Sequence, residues 1–276
     1  MSLKKTLTIA GSDTSAGAGM QADLKTFQEL NTYGMVALTA VVTMDPETWG
    51  HDVTPLPIDL LDKQIKTALS IGPDAIKTGM LGTEEIISRA AQAFKDSDAE
   101  IFVVDPVMVC KGEDEVLNPG NTDAMIKELL PLATVVTPNL FEAGQLSGLG
   151  KLTSIDQMKE AARIIHERGA QHVVIKGGKA LEGQEAMDLY FDGKTYTLLI
   201  TEKFQSSYNH GAGCTFAAAT TANLANGQSP REAIINAKGF VASAIKYGWK
   251  MNDFVGPVQH GASNKVEKIE VATKEV

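Results

Sequence analysis

Cysteine is almost absent from this chain, with two residues in 276. Two thiols cannot build the disulfide framework of a small secreted domain, and no Cys-x-x-Cys or His-x-x-x-His spacing offers a structural zinc site. Positive charge is also in deficit: 25 Lys and Arg face 34 Asp and Glu, for a formal charge of -9 and a pI near 5.1. That balance argues against a nucleic-acid or anionic-membrane partner, since both reward clustered cations. No run approaches the roughly 20 apolar residues of a transmembrane helix. The N-terminus has the positive start of a signal peptide, but its apolar run breaks at Gly11-Ser12-Asp13. The expectation is a cytoplasmic protein with reduced thiols and a small-molecule partner.

What the chain does have is apolar residues, 43% of the total, enough for one large core or two small ones. Short β-branched runs predict strands at Leu7 to Ala10, Met35 to Thr43, Ala75 to Thr78, Ile101 to Asp105, Thr134 to Thr137 and His172 to Lys176. Helical stripes lie between them, as in Ile86, Ile87, Ala90, Ala91 and Phe94, and in Ile155, Met158, Ala162 and Ile165. Ser154 with Gln157 predicts a capping box, Gly169 a helix end, and Ser229-Pro230-Arg231-Glu232 a second capped start. Alternation of this kind implies an α/β fold: a mainly parallel central sheet with helices on both faces, and ligands beyond the C-terminal strand ends. The exception is Met187 to Phe191 and Thr195 to Ile200, joined by Asp192-Gly193 as a small antiparallel edge hairpin. No repeat or long linker divides the chain, so residues 1–276 read as a single domain, with a charged end, Lys265 to Val276, expected to fray.

Four polar or Gly-rich segments follow predicted strands directly: Gly11 to Gly19, Asp105 to Glu113, Thr137 to Glu142 and Lys176 to Ala180. Within the first, Gly17-Ala-Gly-Met-Gln-Ala22 matches G-x-G-x-x-A, but Asp13 and its neighbours intervene after the strand, so a dinucleotide fingerprint and a plain Gly turn before a helix both stand. A fifth segment, His210-Gly-Ala-Gly-Cys214, opens a helix. Its glycines permit close backbone approach, and the free N–H groups of a helix start form an anion site. Cys214 in that first turn is expected to feel the same positive potential, which lowers a thiol pKa from about 8.5 towards neutrality and makes it a base beside a phosphate cradle. The other reading is a small buried hydrophobe.

These segments, with Gly79-Met-Leu-Gly82 and Asp105-Pro-Val-Met108, stand in an order that resembles the hydroxymethylpyrimidine and phosphomethylpyrimidine kinases of the ribokinase superfamily, from about Leu7 to His260. The resemblance implies a ribokinase-like fold and ATP- and Mg2+-dependent phosphorylation of a hydroxymethyl group on a planar nitrogen heterocycle. It implies that Cys214 takes the alcohol proton, where most of the superfamily has Asp, and that Gly211, Ala212 and Gly213 form the anion hole, with Ala212 replacing the usual Thr. Asn139 and Glu142 are expected to hold the Mg2+-phosphate assembly, with Asp105 a weaker candidate. Lys176, Gly177, Gly178, Lys179 and Ala180 form the expected nucleotide loop, with Asp188 near it. A homodimer is implied as well.

Two departures bear on the acceptor. Met44 stands where the pyrimidine kinases of this family carry Gln, which removes an amide that would pair with an aminopyrimidine. Cys110 stands in Val107-Met-Val-Cys-Lys-Gly-Glu113, at the base of a charged stretch expected to act as a flap. A thiol there would add reversibly to an aldehyde; the bland reading is an incidental small residue. This second cysteine makes the chain resemble the two-cysteine pyridoxal kinases. The expected activity is therefore phosphorylation of pyridoxal, the alternative being the pyrimidine reaction of thiamin synthesis. Met80, Val107 and Val41 would line the ring pocket with Ala18 packed near it. Asp13 and His51 would address the ring's polar edge, although a solvated loop suits His51 equally.

Overall fold

The structure, a computed structural model, describes residues 3–108, 119–178, 181 and 183–276. The first half runs β1 (Lys4–Asp13), α1 (Gly19–Glu29), β2 (Thr32–Met44), β3 (His51–Pro55), α2 (Ile58–Ile71), β4 (Ala75–Thr78), α3 (Glu84–Lys95), β5 (Ile101–Val104) and α4 (Pro119–Ala124). The second runs β6 (Val135–Val136), α5 (Leu140–Ser147), α6 (Ile155–Glu167), β7 (His172–Lys176), β8 (Glu185–Phe191), β9 (Tyr196–Glu202), α7 (Ala212–Ala225), α8 (Pro230–Lys246), α9 (Ala262–Lys265) and β10 (Ala272–Glu275).

One ten-stranded sheet takes up all the strands, in the order β10-β9-β8-β7-β6-β5-β4-β1-β2-β3. The pairs from β2 through β1, β4, β5 and β6 to β7 are parallel. Antiparallel strands close both ends: β3 on β2, and β8, β9 and β10 beyond β7. The expected hairpin is therefore β8 and β9. The segment expected to fray is in part an edge strand, because Ala272 to Glu275 find backbone partners on β9 although their side chains are exposed.

Alternation along the strands divides the core. Phe102, Val104, Val136, Val173 and Ile175 face Leu61 and Ile65 of α2, Ile86 and Ile87 of α3, and Met158 and Ile165 of α6. Val103, Val135 and Val174 face Phe216 of α7 and Ile234 and Phe240 of α8. Strands apolar on both faces need helices on both, which is why the runs read as continuous. Helix α7 is buried along almost its whole length, with Ala218 and Ala222 against Phe27 of α1. Such a helix has no polar face, and its N-terminus is directed by packing towards the C-terminal ends of the strands.

The caps follow the sequence closely. Ser229 and Glu232 close a reciprocal box at α8. At α6 only half a box forms: Ser154 accepts from the Gln157 N–H, while Gln157 Oε1 turns to the Thr153 N–H at 2.7 Å. A second full box, Asn139 with Glu142, opens α5 immediately beyond β6. Gly144 in that helix lets the chain fold back: a Cβ there would lie 1.8 Å from the Gly150 carbonyl oxygen. Gly144→Ala is expected to cost about 1–3 kcal/mol as an overpacked contact, read as a lowered denaturant midpoint; an unchanged midpoint would show that the turn at residues 148–150 yields freely.

Candidate active site

Every parallel strand except β2 ends in a segment that reaches one of two adjoining cavities. The smaller, of about 310 Å³, is lined from the first half of the chain by Gly11, Asp13, Ala18, Val42, His51, Lys77, Met80, Asp105 and Val107. The larger, of about 630 Å³, is lined by the ends of β6 and β7, by the β8–β9 hairpin and by α8. They share Asn139, Lys176, Asn209, Ala212 and Gly213. The turn from His210 to Cys214 thus stands at the junction of two chambers.

Gly211 is the N-cap of α7, at φ +83°, and no side chain caps that end. Its left-handed backbone and lack of Cβ are required, since a Cβ would come within 1.8 Å of the Gly17 carbonyl oxygen. The two loops are stitched by Asp13. Its Oδ1 accepts from the Ser15 N–H at 2.8 Å, and its Oδ2 accepts from the Ala18 N–H at 2.8 Å and from His210 Nε2 at 2.7 Å. Burial works against the charged form, but the bonds from His210, Ser15 and Ala18 win and hold the carboxyl well below the usual range. Asp13 lines the cavity, where contact with a ligand edge is expected, and the same carboxylate also ties the two loops together.

Asp188 does the same on the other side. Its Oδ1 accepts from the Gly177 and Gly178 N–H groups at 3.0 and 3.3 Å, and its Oδ2 from Lys238 Nζ at 2.8 Å. The loop at Lys176 to Gly178 is therefore shaped by a buried ion pair. Lys176 Nζ reaches Asp105 Oδ1 at 3.1 Å and would sit 3.4 Å from a Cβ on Gly213, so the ammonium is pressed against the backbone at the start of α7. Burial opposes its charge, but Asp105 and Glu142 outweigh it and raise its pKa. Lys179 and Ala180 lie outside the described residues, as does Cys110.

Glu142 is buried and spans back to the Asn139 N–H at 2.8 Å. Burial pushes its carboxyl up to about 7, against the pull of Lys176. Asp105 is bound to Lys176 and accepts from Thr137 Oγ1 at 3.2 Å. Among the described residues no group of three or more His, Cys, Asp or Glu is placed to hold a metal. This donor set suits an ion that arrives with phosphate oxygens and keeps its waters, with Glu142 rather than Asp105 as the carboxylate nearest to it in role.

Two expected ring-pocket residues are not in the lining. Between Ala10 and Ser12 the β1–β2 register slips, Ala10 pairing with Leu38 and Ser12 with Val41, so one extra residue sits in β2. A single-residue slip exchanges faces. Val42 lines the cavity in place of Val41. Met44 lies farther out, where it pairs with His51 near the end of the β2–β3 ladder.

Cys214 gives the largest correction. Burial pushes the thiol up to about 11; Lys77 and the Gly19 N–H oppose that shift, while Asp23 and Asp105 add to it. The helix N-terminus does not prevail: the half-buried thiol at the wall of the smaller chamber loses hydration, and the charges of Asp23 and Asp105 add to the rise. Sequence reasoning also missed Lys77 itself, a lysine inside a fully buried strand, and the wall of Phe204, Val241, Ala242 and Ile245 in the larger chamber. An ionisable residue within a run expected to be buried was the one available signal for Lys77.

Comparison with known proteins agrees with this geometry. A family profile described as phosphomethylpyrimidine kinase matches residues 13–259. The structure of the pyridoxal kinase from Staphylococcus aureus in complex with ADP is 75% identical, with 100% of both chains covered and a TM-score of 0.98. A second structure of that kinase, in complex with AMP-PCP and pyridoxal, is 73% identical with 100% of both chains covered and a TM-score of 0.97. A pyridoxine kinase of Bacillus subtilis (strain 168) is 53% identical over 264 residues, 95% of this chain and 97% of its own.

The two roles considered for Asp13 are separable. Asp13→Asn is expected to lower the unfolding free energy of the ligand-free protein by about 1.5–3 kcal/mol, the worth of hydrogen bonds to a charged group. Because the native carboxyl is depressed, its contribution is present above the ordinary carboxylate range and is lost as pH falls through the native value. Denaturant titration at neutral pH checks this; unchanged stability would return Asp13 to the role of a ligand contact.

Proposed function

The chain belongs to the phosphomethylpyrimidine kinase family, and from that premise we propose that it moves the terminal phosphoryl group of ATP onto the hydroxymethyl oxygen of pyridoxal, giving pyridoxal 5'-phosphate. The observation that carries this reading is the pair of chambers meeting at one helix N-terminus. A two-substrate transfer needs its donor and acceptor on opposite sides of a fixed anion site.

In this reading the larger chamber takes ATP. Its base lies against Phe204, Val241, Ala242 and Ile245, and its phosphates run along Gly177 and Gly178 to Lys176. The smaller chamber takes the pyridine ring among Val42, Met80, Val107 and Ala18, with His51 at the polar edge. Amides of the turn at Gly211, Ala212 and Gly213, with Lys176 beside them, receive the charge of the migrating phosphoryl group. Asn139 and Glu142 would hold Mg2+, which would supply charge neutralisation to the phosphate oxygens. Cys214 accepts the hydroxyl proton in its thiolate form. Cys110 holds the aldehyde: its S–H adds across the carbonyl, the sulfur bonding to carbon, the π bond breaking and the proton passing to oxygen. The whole chain acts as one kinase domain. A cytoplasmic location and a homodimer complete the reading; among the described residues no helix is long and apolar enough to cross a membrane, and Tyr33, Leu60 and Ile71 leave apolar surface exposed on β2 and α2.

The test is turnover of pyridoxal, pyridoxine and hydroxymethylpyrimidine by the unaltered protein, Cys110→Ala and Cys214→Ala. Pyridoxal should be phosphorylated, Cys110→Ala should lose activity selectively on the aldehyde, and Cys214→Ala should lose about 10²–10⁴ in kcat, the usual worth of a positioned base. No ATP consumption with any vitamer would overturn the reading.

The high thiol pKa also sets a pH dependence. A raised pKa leaves the thiolate scarce at neutral pH, so kcat should climb as pH rises towards about 11. Cys214→Asp, ionised throughout that range, should flatten the alkaline limb. A limb that persists in Cys214→Asp would assign the titration to another group.

A further inference from the structure

Beneath the smaller chamber lies an ion pair closed off from solvent. Lys77 and Asp23 each have 0% side-chain exposure. Lys77 Nζ donates to Asp23 Oδ1 at 3.0 Å and Oδ2 at 2.9 Å, and Thr8 Oγ1 donates to Asp23 Oδ2 at 2.7 Å. Three adjacent elements, β1, α1 and β4, contribute one residue each. Gly79 leaves room for the ammonium: a Cβ there would lie 3.0 Å from Nζ and 2.9 Å from the Ala10 Cβ. Lys77 and Cys214 line the same cavity.

A buried pair of this kind is a poor source of stability, since desolvating both charges offsets most of their attraction and an apolar pair of equal volume often does as well. Its position explains it better. The charged groups acting on the Cys214 sulfur come from every side: Lys77 on β4, Asp23 on α1, Asp105 beyond β5, and Lys176 at the end of β7, with the Gly19 N–H at the start of α1. Asp105 already pairs with Lys176. Lys77, held by Asp23, is the cation that lines the same cavity as Cys214 from β4.

We propose that Lys77 is a positioning residue for proton transfer: its ammonium, pinned by Asp23, is the fixed counter-charge of the Cys214 sulfur whenever that sulfur is negative. Asp23 has two opposed effects. It holds the ammonium in place, and its own charge weakens the thiolate, so the pair sets how much negative charge the sulfur can carry. Among the opposing influences on the thiol, Lys77 is the largest. The ammonium itself stays protonated: burial opposes its charge, but Asp23, Cys214 and Asp105 hold its pKa well above the ordinary lysine value. The inference rests on the reading that Cys214 takes the substrate proton, but its test does not require turnover.

The measurement is the pH dependence of Cys214 alkylation by iodoacetamide, followed site by site by mass spectrometry in a Cys110→Ala background. Two variants perturb the same buried site in opposite electrostatic senses. Asp23→Asn removes the competing carboxylate and should move the profile to lower pH, with several-fold faster alkylation at fixed pH. Lys77→Met combined with Asp23→Asn removes the cation without stranding a buried charge, and should slow alkylation about tenfold relative to Asp23→Asn alone. A merely structural role would shift both the same way. Profiles that move together, or a folded double variant that superimposes on Asp23→Asn, would overturn the proposal. If the double variant does not fold, an unmoved Asp23→Asn profile overturns it alone. Pyridoxal turnover by the parent, run in parallel, separates the two readings: turnover without a shift removes only Lys77's role, and a shift without turnover removes only the kinase assignment.

Discussion

The arrangement of both chambers depends on one carboxylate. Asp13 gathers donors from a loop at the end of β1 and from His210, 197 positions away in the chain, and so fixes the anion turn against the acceptor side. Tight backbone packing makes this bond consequential: the turn at Gly211 and the loop at Gly17 meet with no room for a side chain on either. Shift one loop and the other has to follow. Asp188 repeats the device for the nucleotide-side loop, where a carboxylate backed by Lys238 holds two consecutive amides. In each case an acid that lines a chamber also shapes the backbone that borders it.

Most of the fold was legible because its strands are buried on both faces and its helices are amphipathic. Ala75 to Thr78, Glu84 to Lys95 and His172 to Lys176 are found with the expected bounds. What escaped was non-local. Edge strand β10 has no apolar rhythm and exists because β9 offers it a free edge. The Val41 and Val42 exchange came from a bulge that depends on which residue of β1 each one meets, which periodicity within β2 cannot reveal.

The site was legible as positions more than as chemistry. Asn139, Lys176, Gly177, Gly178, Asp188 and Gly213 all reach the larger chamber, and Asp13, Ala18, His51, Met80, Val107 and Cys214 the smaller. Charge states were harder. Cys214 sits in the first turn of a helix, a local fact favouring the thiolate, yet burial beside Asp23 and Asp105 governs it. Local sequence reports the dipole, and only the packed structure reports the desolvation. Lys77 was hidden for the same reason, because its importance comes from neighbours on β1, α1 and α7.

The two chambers also divide the chain by origin. Among the described residues the larger is walled by residues from Asn139 onward, whereas one side of the smaller is built from residues up to Val107 and meets the rest at the shared turn. The first half of the chain thus supplies one wall of the smaller chamber and the second half supplies the rest of both. An exchange of the leading half between related chains would replace that wall and leave the larger chamber intact, with Asp13, the partner of His210, carried in the exchanged half.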